Sequence, residues 1–213
     1  MFDMKRPGVY WSLTVLKTKH VSEQIDGRTL QMWSPRVPEE RMKLQPKLYA
    51  PIIKLFDSSF APFPFDSYGA LDSPTYGGGA LEAYSYATYG GGLPAEDAHE
   101  PSHTWWGGIL PNTYLKSFWN ESFAVWSQDY FQREVPIGNN LERRDAFQTV
   151  CMPQDDYNEA PLMKSGASIG AAAGSLGYGK GALVLAMLEQ MIGTTNFVEC
   201  LREWIRTHPK GEP

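Results

Sequence analysis

The run His99-Glu100-Pro101-Ser102-His103-Thr104-Trp105-Trp106-Gly107-Gly108, followed by Phe118-Trp119-Asn120-Glu121-Ser122-Phe123-Ala124, decides how the rest of the chain is read. An H-E-x-x-H run on a helix puts two imidazoles on one face, one turn apart, where both can reach a single zinc ion. Glu100 then projects beside them, placed to act on a water held by that ion. Read alone, the run also fits two surface histidines that match the pattern by chance. A zinc site of this kind needs a third protein ligand from a separate element, and Glu121 on the following helix is well placed to supply it. The bland alternative for Glu121 is an ordinary exposed helical carboxylate.

Outward from this stretch, the chain divides into strands first and helices later, which predicts an α+β fold. Residues 8–34 read as a β-hairpin: VYWSLTVL is rich in β-formers, Asp26-Gly27 is a turn signal, and TLQMW supplies the return strand. Glu39 to Phe56 reads as a helix with Leu48, Ile52 and Phe56 on one face. Pro46 and Pro51 inside it predict a kink or two shorter helices. Strands are expected near 67–71 and over 81–89, and helices over 94–107 and 115–133. Residues 134–165 read as irregular. A helix from Tyr178 to Ile192 shows a Leu183, Leu185, Leu188, Ile192 stripe. A last helix holds Phe197, Leu201 and Trp204, with Thr194 or Thr195 as its cap, before a polar tail.

The 213 residues suffice for one domain with a hydrophobic core, and 42% hydrophobic content argues against disorder. A net charge of −5 argues against nucleic-acid binding. No apolar run approaches the roughly 18 residues of a membrane span. The first residues show no signal-peptide pattern, which points to the cytoplasm while leaving the compartment open. Cys151 and Cys200 make no disulfide framework and no metal spacing, so structural burial is expected for both. The 20 glycines and 16 prolines crowd the loops between about 57 and 115, where sites are built. Neither glycine triple, 77–79 or 90–92, has phosphate-loop spacing. Trp105 and Trp106 are expected to pack beneath the metal helix, and Tyr84, Tyr86 and Tyr89 to face the core.

HEPSHTWWGG followed by FWNESFA resembles the gluzincin aminopeptidases of the alanyl aminopeptidase and leukotriene hydrolase type, with Trp105 and Trp119-Asn120-Glu121 at matching places. Gly79-Ala80-Leu81-Glu82-Ala83 resembles the family's exopeptidase motif, and Gly177-Tyr178-Gly179-Lys180-Gly181 its Tyr-x-Lys-Gly helix. The resemblance implies a thermolysin-like zinc metallopeptidase catalytic domain over 35–213, with residues 1–34 a hairpin remnant of an N-terminal β-domain. It implies one Zn²⁺ on His99, His103 and Glu121, with Glu100 as general base and Tyr178 as oxyanion donor. Glu82 would hold the substrate's α-amine, and Gly79 and Ala80 would lie along the peptide. The implied function is removal of N-terminal residues from peptides, with no nucleic acid or membrane span involved and the oligomeric state open. The alternatives are an endopeptidase-like gluzincin, a catalytically impaired peptide-binding zinc module, and an inert fragment.

Three departures from the family pattern bear on these expectations. Residues 104–120 separate His103 from Glu121, one fewer than usual, and a one-residue shift within the helix would turn Glu121 about 100° away. Pro101 sits inside the histidine run. Leu81 and Ala83 replace the Met and Asn of the exopeptidase motif, and Ala83 cannot make an amide's hydrogen bonds.

Overall fold

The computed structural model describes residues 13–112, 119–135 and 174–208. The expectations for residues 8–12, 115–118 and 136–165, for Cys151 and for the end of the tail lie outside them. The described residues mix helix and sheet. A five-stranded sheet runs in the order β1-β2-β3-β5-β4, with β1 Lys19–Ile25, β2 Arg28–Ser34, β3 Ser67–Asp72, β4 Ala80–Glu82 and β5 Tyr86–Tyr89. The two edge pairings are antiparallel and the two central ones parallel.

The hairpin turns at Asp26-Gly27, both at positive φ as a tight two-residue loop requires. Its first strand is Lys19–Ile25, not the VYWSLTVL stretch, whose described part carries no regular structure. A polar alternating segment is enough there, because β1 is an edge strand held by its register to β2. Between β2 and the parallel β3 the chain crosses through two helices, α1 Glu39–Met42 and α2 Gln45–Ser59. The stretch is two helices, and Pro46 enters α2 in its first turn, but Pro51 lies inside α2 without ending it; Ile52 and Phe56 are fully buried as expected, with Tyr49 buried and Leu48 only half-buried.

The stretch expected as one strand over 81–89 is two antiparallel strands, β4 and β5, broken where Tyr84 takes φ +55. The helix expected over 94–107 is a single turn, α3 His99–Ser102. The chain leaves it into a compact bend in which Gly107 has φ +114, and a Cβ on Gly108 would lie 2.3 Å from the Thr104 carbonyl. Two short strands, β6 Trp106–Gly107 and β7 Leu110–Pro111, close that bend.

Helix α4, Trp119–Glu134, follows. A π-helix, Gly174–Lys180, runs directly into α5, Gly181–Ile192. Gly193, at φ +83, then bends the chain by 118° into α6, Thr194–Thr207. Thr194 opens α6 and does not cap it; its hydroxyl donates to Glu189 instead. The expected α5 stripe is displaced as well. Ala182, Leu185 and Glu189 face inward, while Leu188 and Ile192 are exposed, because α4 packs along that inner face. Cys200 is exposed rather than buried, since α6 turns Phe197, Val198, Leu201 and Ile205 inward instead. No single helix among the described residues is long and apolar enough to cross a membrane.

The core is largely aromatic. Phe56, Phe60, Trp105, Trp106, Trp126 and Phe131 are fully buried; Phe56 stacks on Phe60, and the other rings meet them edge to face or tilted. Trp105 donates its indole N–H to the Ala61 carbonyl at 2.7 Å, and Trp106 donates its own to Ser127 Oγ at 2.8 Å. Both tryptophans therefore lie beneath the histidine turn, as expected, with their polar ends satisfied.

Candidate metal centre

The two histidines lie on and just after α3. His103 follows its last residue with helical dihedrals, so the i,i+4 relation survives and the rings meet at 5.0 Å between centroids. Pro101 is tolerated because α3 is so short. It occupies the first turn, where its missing N–H would have had no helical partner. Asp97 serves the donors that remain, its Oδ1 accepting the backbone N–H of His99 at 2.8 Å and of Glu100 at 3.4 Å.

Glu121, in the first turn of α4, meets both rings despite the shortened connection. Its Oε2 lies 3.1 Å from His99 Nε2 and 3.3 Å from His103 Nε2, and the two nitrogens are 3.3 Å apart. Three nitrogen or oxygen ligands at about 2.0–2.1 Å on a tetrahedral zinc would themselves lie roughly 3.3 Å apart. The donor set and the triangle therefore fit a zinc ion. His103 Nδ1 donates to the Trp106 carbonyl at 3.0 Å, which fixes the ring and leaves Nε2 facing the triangle. Asn120 donates to Glu121 Oε1 at 3.4 Å and itself accepts from the Asn112 amide.

Without a metal ion the three groups balance one another. Burial alone would push the His103 imidazole down, but the hydrogen bond and charge of Glu121 outweigh it and hold it up at about 10. Burial pushes the Glu121 carboxyl up, and the two imidazoles more than reverse that, holding it well below the ordinary glutamate range. Burial likewise raises Glu100, to about 7, against the pull of the neighbouring imidazoles. Glu100 Oε2 is buried and has no hydrogen-bond partner among the described residues.

Glu82, at the end of the edge strand β4, is also buried. Its carboxylate lies with the Glu100 carboxylate and the His103 imidazole, the ligand-type atoms all within 4.8 Å of one another. Gly79, at φ +67, turns the chain into β4, and its carbonyl accepts from the Gly90 N–H. Ala80 opens the strand. The Tyr178 ring stacks on His99, with centroids 6.0 Å apart and planes 4° from parallel. Burial, then the charge of Glu121 and a hydrogen bond with it, raise the Tyr178 hydroxyl above the ordinary tyrosine value. Ser122 Oγ donates to the Gly177 carbonyl, tying the π-helix to α4 beside the site.

The geometry thus brings His99, Glu100, His103, Glu121, Glu82 and Tyr178 together from four elements. Sequence reading missed the groups that orient them. Asp97 stands two residues before the histidine run, outside the motif. The Trp106 carbonyl carries no side-chain signal at all.

The domain model of peptidase family M1 matches residues 96–212. The chain is 27% identical over 221 residues to Aminopeptidase M1-B of Oryza sativa subsp. japonica, covering 87% of this chain and 24% of that protein. It is 22% identical to Tricorn protease-interacting factor F2 of Thermoplasma volcanium, covering 92% of this chain and 28% of that one. Its fold is similar to that of the M1 zinc metallopeptidase of Deinococcus radiodurans, with a TM-score of 0.64 and 17% identity over 92% of this chain and 46% of that one. A mutant of that enzyme bound to a Tyr-Ser-Ala substrate aligns with a TM-score of 0.65 and 18% identity, covering 90% of this chain and 45% of that one. The chain spans about a quarter of the length of these curated relatives.

Proposed function

The chain belongs to peptidase family M1, and on that premise we propose that it carries a thermolysin-like catalytic domain, over 35–213, that removes N-terminal residues from peptides with one zinc ion. One observation carries this reading. Two imidazole nitrogens and a carboxylate oxygen form a triangle of zinc-ligand size, beside Glu100 Oε2, which is buried and has no hydrogen-bond partner among the described residues. His99, His103 and Glu121 would hold the ion, and zinc there supplies Lewis acidity toward the scissile carbonyl and the attacking water.

The chain's own groups do the rest. Glu100, raised to about 7, accepts a proton from the attacking water and passes it to the leaving amine. Tyr178 stays protonated at neutral pH and donates to the oxyanion as charge develops on the carbonyl oxygen. Glu82 pairs with the cationic α-amine, which limits cleavage to the first peptide bond. The substrate runs along the β4 edge in extended form, past Gly79 and Ala80.

The test is hydrolysis of aminoacyl-arylamides by the zinc-loaded chain. Glu100→Gln is expected to lower the rate by about 10²–10⁴, and an N-acetylated substrate to resist cleavage. Failure to bind zinc stoichiometrically sinks the metal reading. A rate indifferent to Glu100→Gln rejects the proton path, and efficient cleavage of the acetylated substrate favours an endopeptidase.

A further inference from the structure

Helix α3 has only four residues, too few to hold itself, since a first helical turn is unfavourable to nucleate. Yet it carries His99 and Glu100, and His103 directly follows it. Ala98 precedes it and offers no side-chain acceptor. Pro101 removes one orphan donor, and Asp97 Oδ1 takes the N–H of His99 and of Glu100.

The other oxygen of Asp97 is held in turn. Asp97 Oδ2 accepts from the Tyr89 hydroxyl on β5, and the Tyr89 oxygen accepts from the Tyr49 hydroxyl on α2 at 3.0 Å. Tyr49 is fully buried and Tyr89 is 6% exposed. The relay therefore joins the sheet and the crossover helix to the start of the histidine turn.

We propose that Asp97 is a positioning residue for the metal centre, fixing the turn that carries His99 and Glu100 through the Tyr89 and Tyr49 hydroxyls. Its consequence for zinc rests on the metal-dependent reading above, whereas the fixing of the turn is a property of the metal-free chain. A charged acceptor on two backbone donors is stronger than a neutral one, and holding it from behind limits the turn's motion. Ligands oriented in this way lose affinity when their support is removed, typically by 10–100-fold.

The experiment uses the full chain with Asp97→Ala, Asp97→Asn and Tyr89→Phe. In the metal-free protein, Asp97→Ala is expected to speed amide exchange at His99 and Glu100 by about tenfold, with Ala70 in the central strand unchanged. Zinc affinity, measured by chelator competition, is expected to fall by about 10–100-fold. Asp97→Asn, which keeps an acceptor oxygen, is expected to recover most of both effects, and Tyr89→Phe to lie between. Unchanged exchange at His99 and Glu100, equal loss of protection at Ala70, or an Asn variant no better than Ala overturns the proposal. A parent chain with the expected exchange pattern but no zinc binding supports the positioning and removes the metal reading instead.

Discussion

Helix α4 meets a buried glutamate cluster at each end, and the two are built differently. At its last turn, Arg133 forms a two-pronged pair with Glu189 of α5, at 2.8 and 2.9 Å, and also reaches Asp129. Trp126 and Thr194 fill the remaining positions on the Glu189 oxygens, at 2.8 and 2.7 Å. At its first turn, Glu121 offers a single oxygen to two imidazoles. Both carboxylates are nearly as buried, at 6% and 5% exposure. One has its cation built into the chain. The other faces two groups that can either hold a proton or give it up to a metal. A buried charge that is fully answered is structural, and one answered by exchangeable partners is where chemistry can occur.

Removing half of the closed cluster tests this first and carries the largest effect. Arg133→Met leaves Glu189 buried without its cation, and a loss of about 3–5 kcal/mol in unfolding free energy is expected in urea titration. The double variant Arg133→Met with Glu189→Leu should regain most of it, because no charge is then stranded. Neither change should alter zinc binding by the folded fraction. At the open end the readouts exchange places. Glu121→Gln is expected to weaken zinc by more than about 100-fold in chelator competition, above the loss typical of supporting residues, with a smaller change in metal-free stability. If Glu121→Gln instead unfolds the chain and leaves metal affinity intact, the distinction between the two ends fails.

The pH dependence separates them further. Glu189 lies below its ordinary value because Arg133, Thr194 and Trp126 outweigh the upward push of burial. A lowered carboxyl contributes stability that is present above the unfolded value, about 4.3, and lost as pH falls through the folded one. The acid limb of a stability profile should therefore shrink in the Arg133→Met, Glu189→Leu pair. His103 is raised to about 10. Its contribution to the metal-free chain is full below the unfolded histidine value, about 6.5, and is lost as pH rises through about 10. Metal-free melting temperature should thus decline across that window. Zinc affinity should rise with pH over the same range, since the ion must displace the proton. Glu121, held low by the two imidazoles, adds an acid limb of its own, so the alkaline decline is what marks the open end, and its absence would contradict the comparison.

The open end was more legible in the sequence than the closed one. The histidine spacing is local, and i,i+4 geometry survives even in a helix of one turn, so His99 and His103 could be placed together from the motif. Glu121 followed from the need for a ligand on a second element. Glu121 meets both rings although the connection is one residue shorter than the family pattern. The Arg133 pair with Glu189 spans 56 positions and has no local pattern, so nothing in the sequence singles Glu189 out. Helix extent was misjudged for the same reason. Trp105 and Trp106 continue a helical pattern on paper, but the core captures both indoles and the glycine bend ends the turn early. The hairpin turn was legible at Asp26-Gly27, whereas the position of β1 depends on pairing with β2 rather than on propensity.

The smallest expected effect lies between the two ends. Ser127, midway along α4 and fully buried, accepts the Trp106 indole N–H. The Trp106 carbonyl, on the same residue, holds His103 Nδ1. Ser127→Ala strands that indole donor and should cost about 1–3 kcal/mol of stability. Trp106 is also packed against Phe60 and Phe123, at 5.0 and 4.8 Å between centroids, so its backbone is not expected to move. Zinc affinity should then stay within about threefold, under 1 kcal/mol. A larger change would mean that the packing beneath the turn tunes the metal site. The two ends of α4 would then be coupled through Trp106, and the separation of structural from chemical charge along this helix would have to be given up.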